Sequence, residues 1–499
     1  MNKLLTSAEM READEYTMNK REVPSQTLME RAGKALAEKA IKMLGGGRAL
    51  CVCGGGNNGG DGFVCARLLM QAGYTVELVC IAERFSADCQ TVMEKFRFAG
   101  GMVETTFPDE EYALIIDCLL GTGLKSGLSV EYANAIAKIN EYKKRGASVL
   151  SADIPSGVNG DNGRVEKIAV RADATLCIGE IKAGVYLGSG IDHAGEISRA
   201  DIGIALPKTS YAELTEKADV VKLLPKRKRN SHKGSYGKAA IVAGSSAYTG
   251  AAYLSTTACL RSGAGYTTLF VPKGILPYYI LKCPEALLRP LCGGDVPVFN
   301  EGYFERLLSY DSIAYGMGMG ATKEVAKGAK YLLKNYEGRL ILDADALNAL
   351  AIHTKPEKIF KNKKCDVVIT PHIKEFSRLI GETPDEIAQG GLSAPKSFAK
   401  ANRLTVYLKN AVSLVTDGED IFVNVTGNAG LAKGGSGDVL SGVIAGLCAQ
   451  GISALNGARI GGYIVGKAAE IAAIEQGEYS LLASDVIACL GKAFLSLED

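Results

Sequence analysis

The chain has 499 residues, 47% hydrophobic and 22% charged, which fits an ordinary globular protein of two large domains rather than a disordered chain. A net charge of +2 gives no electrostatic ground for a nucleic-acid partner. Thirteen cysteines without a C-x-x-C pair, and four histidines without ligand spacing, exclude a zinc module and predict a reducing, cytoplasmic setting.

Charges run throughout Met1 to Lys20, so no signal peptide is expected. Thr6-Ser7-Ala8-Glu9 has the form of a capping box and predicts a helix start. A second helix is expected over 25–44, stopped by Gly45-Gly46-Gly47. Strand-like runs follow at 49–53, 75–81, 113–119, 147–154 and 174–178, with helical stretches at 62–71, 89–98 and 131–144. This alternation predicts a parallel sheet covered on both faces. Between 206 and 235 the chain turns polar, and Lys226-Arg227-Lys228-Arg229 reads as a solvated linker. A second α/β series has strand-like runs at 239–243, 267–271, 312–315, 340–342, 367–370, 405–409, 413–416 and 421–425. The last three predict a hairpin at the sheet edge. The charge-free stretches at 239–260 and 439–458 read as buried core, so no membrane partner is expected. Within the second, Gly442-x-x-x-Gly446 fits close helix packing.

Two glycine-rich loops carry the chemistry. The first, Gly54-Gly55-Gly56-Asn57-Asn58-Gly59-Gly60-Asp61-Gly62, follows a strand, and its G-x-G-x-x-G spacing matches a dinucleotide fingerprint. Asp61 would repel a bare pyrophosphate unless a cation lay between them. Asp117 and Asp153 end two further strands, so three strand ends converge on one crevice. Each aspartate also fits a local role: Asp61 a helix N-cap, Asp117 a strand-end cap, Asp153 a turn residue before Pro155.

The strings GGNNGGDG, Asp117-Cys118-Leu119-Leu120-Gly121-Thr122-Gly123 and Asp153-Ile154-Pro155-Ser156-Gly157 resemble the NAD(P)H-hydrate epimerase family. The resemblance covers residues 1–215 and implies a Rossmann-like three-layer α/β domain. It implies potassium (K+) at Asn58, Asp117 and Ser156, and Asp153 as acid/base residue. Substrate contacts are implied at Asn57, Asn58, Gly59, Gly60, Asp61 and Asp153. Further contacts are implied at Gly121, Thr122, Gly123, Leu124, Lys125, Ser126 and Gly127. Some members carry a lysine after the second strand, where this chain reads Ile81-Ala82-Glu83-Arg84.

The second loop, Gly434-Gly435-Ser436-Gly437-Asp438, precedes a long apolar helix. Its successive amides suit an anion, and Asp438 is placed to take a proton from a hydroxyl attacking a phosphoryl group. A helix cap is the plainer role for Asp438. Asp343 and His372 read alike as caps or site residues.

The strings HKGSYG from His232, YTGAA from Tyr248, LDADALN from Leu342, Thr370-Pro371-His372 with Glu375, and GGSGD resemble the ADP-dependent NAD(P)H-hydrate dehydratase family. The resemblance covers residues 222–499 and implies a ribokinase-like domain with Asp438 as catalytic base. It implies nucleotide contacts at Lys409, Asn410, Ala411, Val412, Ser413 and Gly437. It sets the hydrated nicotinamide near Ala252, Gly318, His372 and Asp438. Together the resemblances imply epimerisation of R and S NADHX and NADPHX, then dehydration of the S epimer with ADP and Mg2+, giving AMP and phosphate. They also imply a homo-oligomer. Two rivals stay open: a small-alcohol kinase of the ribokinase type fused to a nucleotide-binding module, and a non-catalytic first half in which Asn57 and Asn58 bind a regulatory nucleotide.

Overall fold

The computed structural model describes residues 2–123, 127–208 and 210–498. The chain divides into two compact units, Asn2–Ala212 and Glu213–Asp499. No helix among the described residues is long and apolar enough to cross a membrane.

The first unit runs β1 (Lys3–Leu5), α1 (Ser7–Lys20), α2 (Ser25–Leu44), β2 (Arg48–Cys53), α3 (Asn57–Gln71), β3 (Thr75–Cys80) and α4 (Ala87–Phe98). It continues β4 (Leu114–Cys118), α5 (Val130–Lys144), β5 (Ser148–Ala152), β6 (Ala174–Ile178), β7 (Ile181–Lys182), α6 (Gly190–Ala194) and β8 (Glu196–Ala200). Six strands form a parallel sheet in the order β3-β2-β4-β5-β6-β8. Strand alternation decides its faces: Cys51 and Cys53 pack under α2, α3 and α4, while Leu50 and Val52 pack under α5. The result is the expected three-layer, Rossmann-like arrangement. The order reverses between β2 and β4, in register at Cys53 and Cys118, and such a reversal opens a ligand crevice.

Two features of this unit were not expected. α3 starts at Asn57, so the glycine-rich segment is its opening turns, and Asp61 lies inside the helix while Gly56 is the N-cap. Glycine is a poor helix former, but here contact outweighs propensity. A Cβ on Gly59 would stand 1.9 Å from the Gly54 carbonyl oxygen. Outside the main sheet, β1 pairs with β7, setting Leu5 opposite Lys182. β1 leads directly into α1, whose start is fixed by the predicted capping box. The Thr6 hydroxyl accepts from the Glu9 amide at 3.2 Å, and the Glu9 carboxylate accepts from the Thr6 amide at 2.9 Å.

The second unit begins in β9 (Ala212–Leu214), then α7 (Lys217–Leu223), β10 (Lys238–Val242), α8 (Thr249–Leu260), β11 (Tyr266–Pro272), α9 (Pro277–Ile280) and β12 (Leu287–Cys292). Next come α10 (Glu301–Phe304), β13 (Ser312–Tyr315), α11 (Lys323–Asn335), β14 (Arg339–Leu342), α12 (Asp345–His353), β15 (Asp366–Ile369) and α13 (Ile373–Ile380). α14 (Pro384–Gly390), α15 (Ser393–Asn402), β16 (Thr405–Leu408), β17 (Ser413–Thr416) and β18 (Ile421–Asn424) lead to α16 (Ser436–Ala449), α17 (Ala454–Gln476) and α18 (Ala483–Leu495).

Its strands lie in the order β12-β11-β10-β13-β14-β15-β16-β17-β18, parallel as far as β16. β17 is antiparallel to both neighbours, as the predicted hairpin requires. β18 is not the edge, because Glu213 and Leu214 of β9 pair with Phe422 and Val423. β12 carries Pro290 and is half exposed, so its sequence lacks a strand signature. α16 is buried and rides on α8. A Cβ at Gly442 would stand 2.1 Å from the Ser255 carbonyl oxygen, and one at Gly446 2.8 Å from that of Cys259. The Gly442-x-x-x-Gly446 spacing therefore serves helix packing within the core.

Candidate active sites

The first crevice opens into a cavity of about 450 Å³ lined by Asn57, Asn58, Asp61, Gly121, Thr122, Gly123 and Asp153. A Cβ on Gly121 would lie 3.4 Å from the Asp153 carboxylate and 3.5 Å from the Asn58 Cβ, so the three strand ends do meet. Gly59 and Gly60 instead pack against Gly54 and Met29, and Gly127 is exposed and does not line the cavity. Leu124, Lys125 and Ser126 lie outside the described residues.

The Asn58 amide is buried, and neither its oxygen nor its nitrogen has a hydrogen-bond partner. Asp117 is the opposite case. Its carboxylate accepts from Ser156 Oγ at 2.6 Å, Ser151 Oγ at 2.8 Å, Ser156 N at 2.9 Å and Leu119 N at 3.3 Å. It thereby ties the end of β4 to the loop after β5, so its capping role is realised.

Asp153 holds a backbone φ of 69°, in the left-handed region that a non-glycine residue rarely adopts. Its side chain is anchored by Ile178 N at 3.2 Å and by the Lys182 ammonium. Lys182 is 2% exposed and also donates to the Ile178 carbonyl oxygen at 2.6 Å. Among the described residues it is the only lysine lining the cavity. Sequence reading passed over it, because a lysine after a short apolar run looks like surface. Asp61 needs a correction. Burial pushes its carboxyl well above the usual range, Asp153 adds to the rise and Lys182 opposes it. This favours the neutral acid.

In the second unit, β13, β14 and β15 end in register at Tyr315, Leu342 and Ile369. Gly318, Asp343, His372 and Lys409 follow at four neighbouring parallel strand ends. Asp343 is buried and gathers the site: Lys409 Nζ donates to its Oδ1 at 2.8 Å and Ser441 Oγ to its Oδ2 at 2.7 Å. Ser441 stands one helical turn beyond Asp438 on α16. Gly435 caps α16 at φ 98°, and a Cβ on Gly437 would lie 3.1 Å from Lys409 Nζ. Loop and ion pair thus meet at the head of the helix. Burial pushes the Asp438 carboxyl up to about 7; Asp343 adds to this and Lys409 opposes it.

His372 caps α13, as one reading expected. Its Nδ1 accepts from Lys374 N at 3.1 Å and Glu375 N at 3.2 Å, which leaves the ring neutral with a proton on Nε2. Burial lowers its value from that of an ordinary imidazole, against the pull of Glu375. Lys409 N donates to Pro371 O at 2.8 Å, so the residues from Lys409 onward start beside this cap. Asn410 and Ala411 form the exposed tip, while Val412 and Ser413 turn inward. Ala252 has no exposed surface and packs against Gly244. It is Ala251 that touches Gly318, where a Cβ would stand 2.8 Å from the Ala251 methyl. Asp345 accepts from Gly320 N at 2.7 Å.

Residues 239–491 match the family profile described as NAD(P)H-hydrate dehydratase, and residues 25–184 that described as YjeF-related protein N-terminus. The bifunctional NAD(P)H-hydrate repair enzyme of Thermofilum pendens is 34% identical over 100% of this chain and 97% of its own length. That of Moorella thermoacetica is 33% identical over 99% and 97%. A Bacillus subtilis ADP/ATP-dependent NAD(P)H-hydrate dehydratase, crystallised with ATP and Mg2+, is 27% identical with a TM-score of 0.51. It covers 57% of this chain and 99% of its own. With site residues gathered at parallel strand ends in both α/β units and relatives matching from end to end, the chain belongs to the bifunctional NAD(P)H-hydrate repair enzyme family.

Proposed function

We propose that the second unit dehydrates the S epimer of hydrated NADH and NADPH with ADP as phosphoryl donor, and that the first unit interconverts the R and S epimers. The observation that carries this reading is the Asp438 carboxyl. It lies half-buried at the head of α16, beside the Asp343–Lys409 pair, and its surroundings raise it to about 7. Hydroxide is a poor leaving group, and phosphorylation mends that. Asp438 takes the proton of the C6 hydroxyl as its oxygen attacks the terminal phosphorus of ADP, and the P–O bond to AMP breaks. The amides of the 434–437 loop meet the charge that develops. Phosphate then leaves C6 as a proton leaves C5, which restores the ring double bond. Magnesium accompanying the nucleotide would neutralise phosphate charge.

In the first unit Asp153 moves protons at C6 while Lys182 holds it in place. The orphaned amide oxygen of Asn58 suits potassium, whereas Asp117 and Ser156 are buried, bonded to each other, and do not line the cavity. Potassium would supply a fixed positive charge for the substrate. We place the reaction in the cytoplasm, which suits the free, buried thiols.

Incubation with mixed epimers and ADP is expected to restore the absorbance of reduced nicotinamide from both, with release of AMP and phosphate. A stable phosphorylated alcohol with no phosphate released would instead identify a kinase. Replacing potassium by tetramethylammonium is expected to slow R-to-S conversion and leave dehydration of pure S epimer unchanged. Asn58→Ala is expected to copy that effect, and equal rates with and without potassium would remove the ion from the site.

A further inference from the structure

We propose that Asp14 is a second proton-transfer group of the first unit's cavity, acting with Asp153 on ring C6; this rests on the epimerase reading. Asp14 comes from α1, outside the parallel sheet. It reaches the cavity because β1 pairs with β7, and the same pairing brings Lys182. Arg11, Asp14 and Met18 share one helical face and line the cavity, whereas Ala13 and Thr17 are buried on another. Asp14 is half-buried, and no donor among the described residues is hydrogen-bonded to its carboxylate. Asp153, by contrast, is tied to Lys182 and Ile178 N, and Asp61 is buried. Of these three, Asp14 is therefore the carboxyl best able both to exchange protons with solvent and to meet a ligand.

The groups that share the cavity with it are Lys182 from β7, Asp153 after β5, Asp61 from α3, Asp88 from α4 and Arg11 from α1. Glu15 is its neighbour on α1. Burial raises the Asp14 carboxyl to about 6; Lys182 opposes this, and Asp153 and Glu15 add to it. At mildly acidic to neutral pH a useful fraction of Asp14 thus carries the proton an acid must give.

In the step, Asp14 gives its proton to the C6 hydroxyl oxygen. The C6–O bond breaks with its electron pair going to oxygen, water departs, and the N1 lone pair forms an N1=C6 iminium. Water then adds to the opposite face of C6, the π pair returns to N1, and the proton released by the added water passes to Asp153. The other epimer uses the two carboxyls in exchanged roles.

The test uses the full chain with pure R epimer, following the epimer ratio by NMR from pH 5 to 9, and pure S epimer with ADP as the control. Asp14→Asn is expected to slow R-to-S conversion by about 100-fold or more. It should also abolish the wild-type decline in rate above about pH 6. S-epimer dehydration should be unchanged. Asp14→Glu, which keeps the carboxyl, should recover part of the rate and the falling limb. A wild-type rate and pH profile in Asp14→Asn, with Asp153→Asn inactive, would overturn the proposal and leave the epimerase reading standing. If Asp14→Asn lowers the melting temperature, the Glu variant decides: loss of its falling limb at an unaltered melting temperature likewise overturns the proposal. No acceleration of R-to-S conversion by the wild-type chain would defeat the epimerase reading itself.

Discussion

Asp438→Asn is expected to slow dehydration of the S epimer by about 10²–10⁴-fold, the usual worth of a positioned general base. The amide keeps the size of the carboxyl, so ADP affinity and epimer exchange should persist. The pH profile makes the assignment specific. A base must be ionised to act, and burial has raised this carboxyl to about 7. Wild-type kcat/KM should therefore climb tenfold per unit below pH 7 and level off above it. In Asp438→Asn that limb should vanish. His372 is the competing titrating group, but burial draws it below the ordinary imidazole value, so its limb would fall at lower pH. A limb near pH 7 that survives in Asp438→Asn would assign the base to another residue.

Legibility in the sequence followed the range of the interaction that decides each feature. β13 and β17 occupy the residues their apolar runs predicted, since each is a buried strand bounded by turn residues. The strand ends were legible for the same reason, and with them Asp153, Asp343 and His372. Partnership was not legible. Asp343 could be set at a strand end, but not beneath Lys409 and Ser441, which come from β16 and α16. Asp14 and Lys182 escaped altogether, because both depend on the pairing of Leu4 and Leu5 with Ile181 and Lys182. Strands so short carry no period, and their contact spans most of the unit's sequence. Ala252 shows the limit of a motif: the family string runs through it, yet the exposed surface belongs to its neighbour Ala251.

Lys182→Ala is expected to nearly abolish epimerisation without touching the second unit's reaction. The variant leaves Asp153 near Asp14 and Asp61 with its buried ammonium partner gone. Removing one partner of a buried ion pair costs about 3–5 kcal/mol. At about 1.4 kcal/mol per factor of ten, that is a loss of roughly 10²–10⁴-fold in the competent form. On the proposed reading Lys182 is a positioning residue, since it holds the Asp153 carboxylate on its strained backbone. A purely structural role would also lower the rate, so the decisive measurement is chemical rescue. The truncated side chain leaves a space that ethylammonium can enter, restoring charge at the same place. Added ethylammonium should recover part of the R-to-S rate in Lys182→Ala, ethanol should not, and neither should alter the wild-type chain. Rescue by ethanol as well would make the lysine a space-filling group, and full activity without any additive would show that Asp153 acts without its counter-charge.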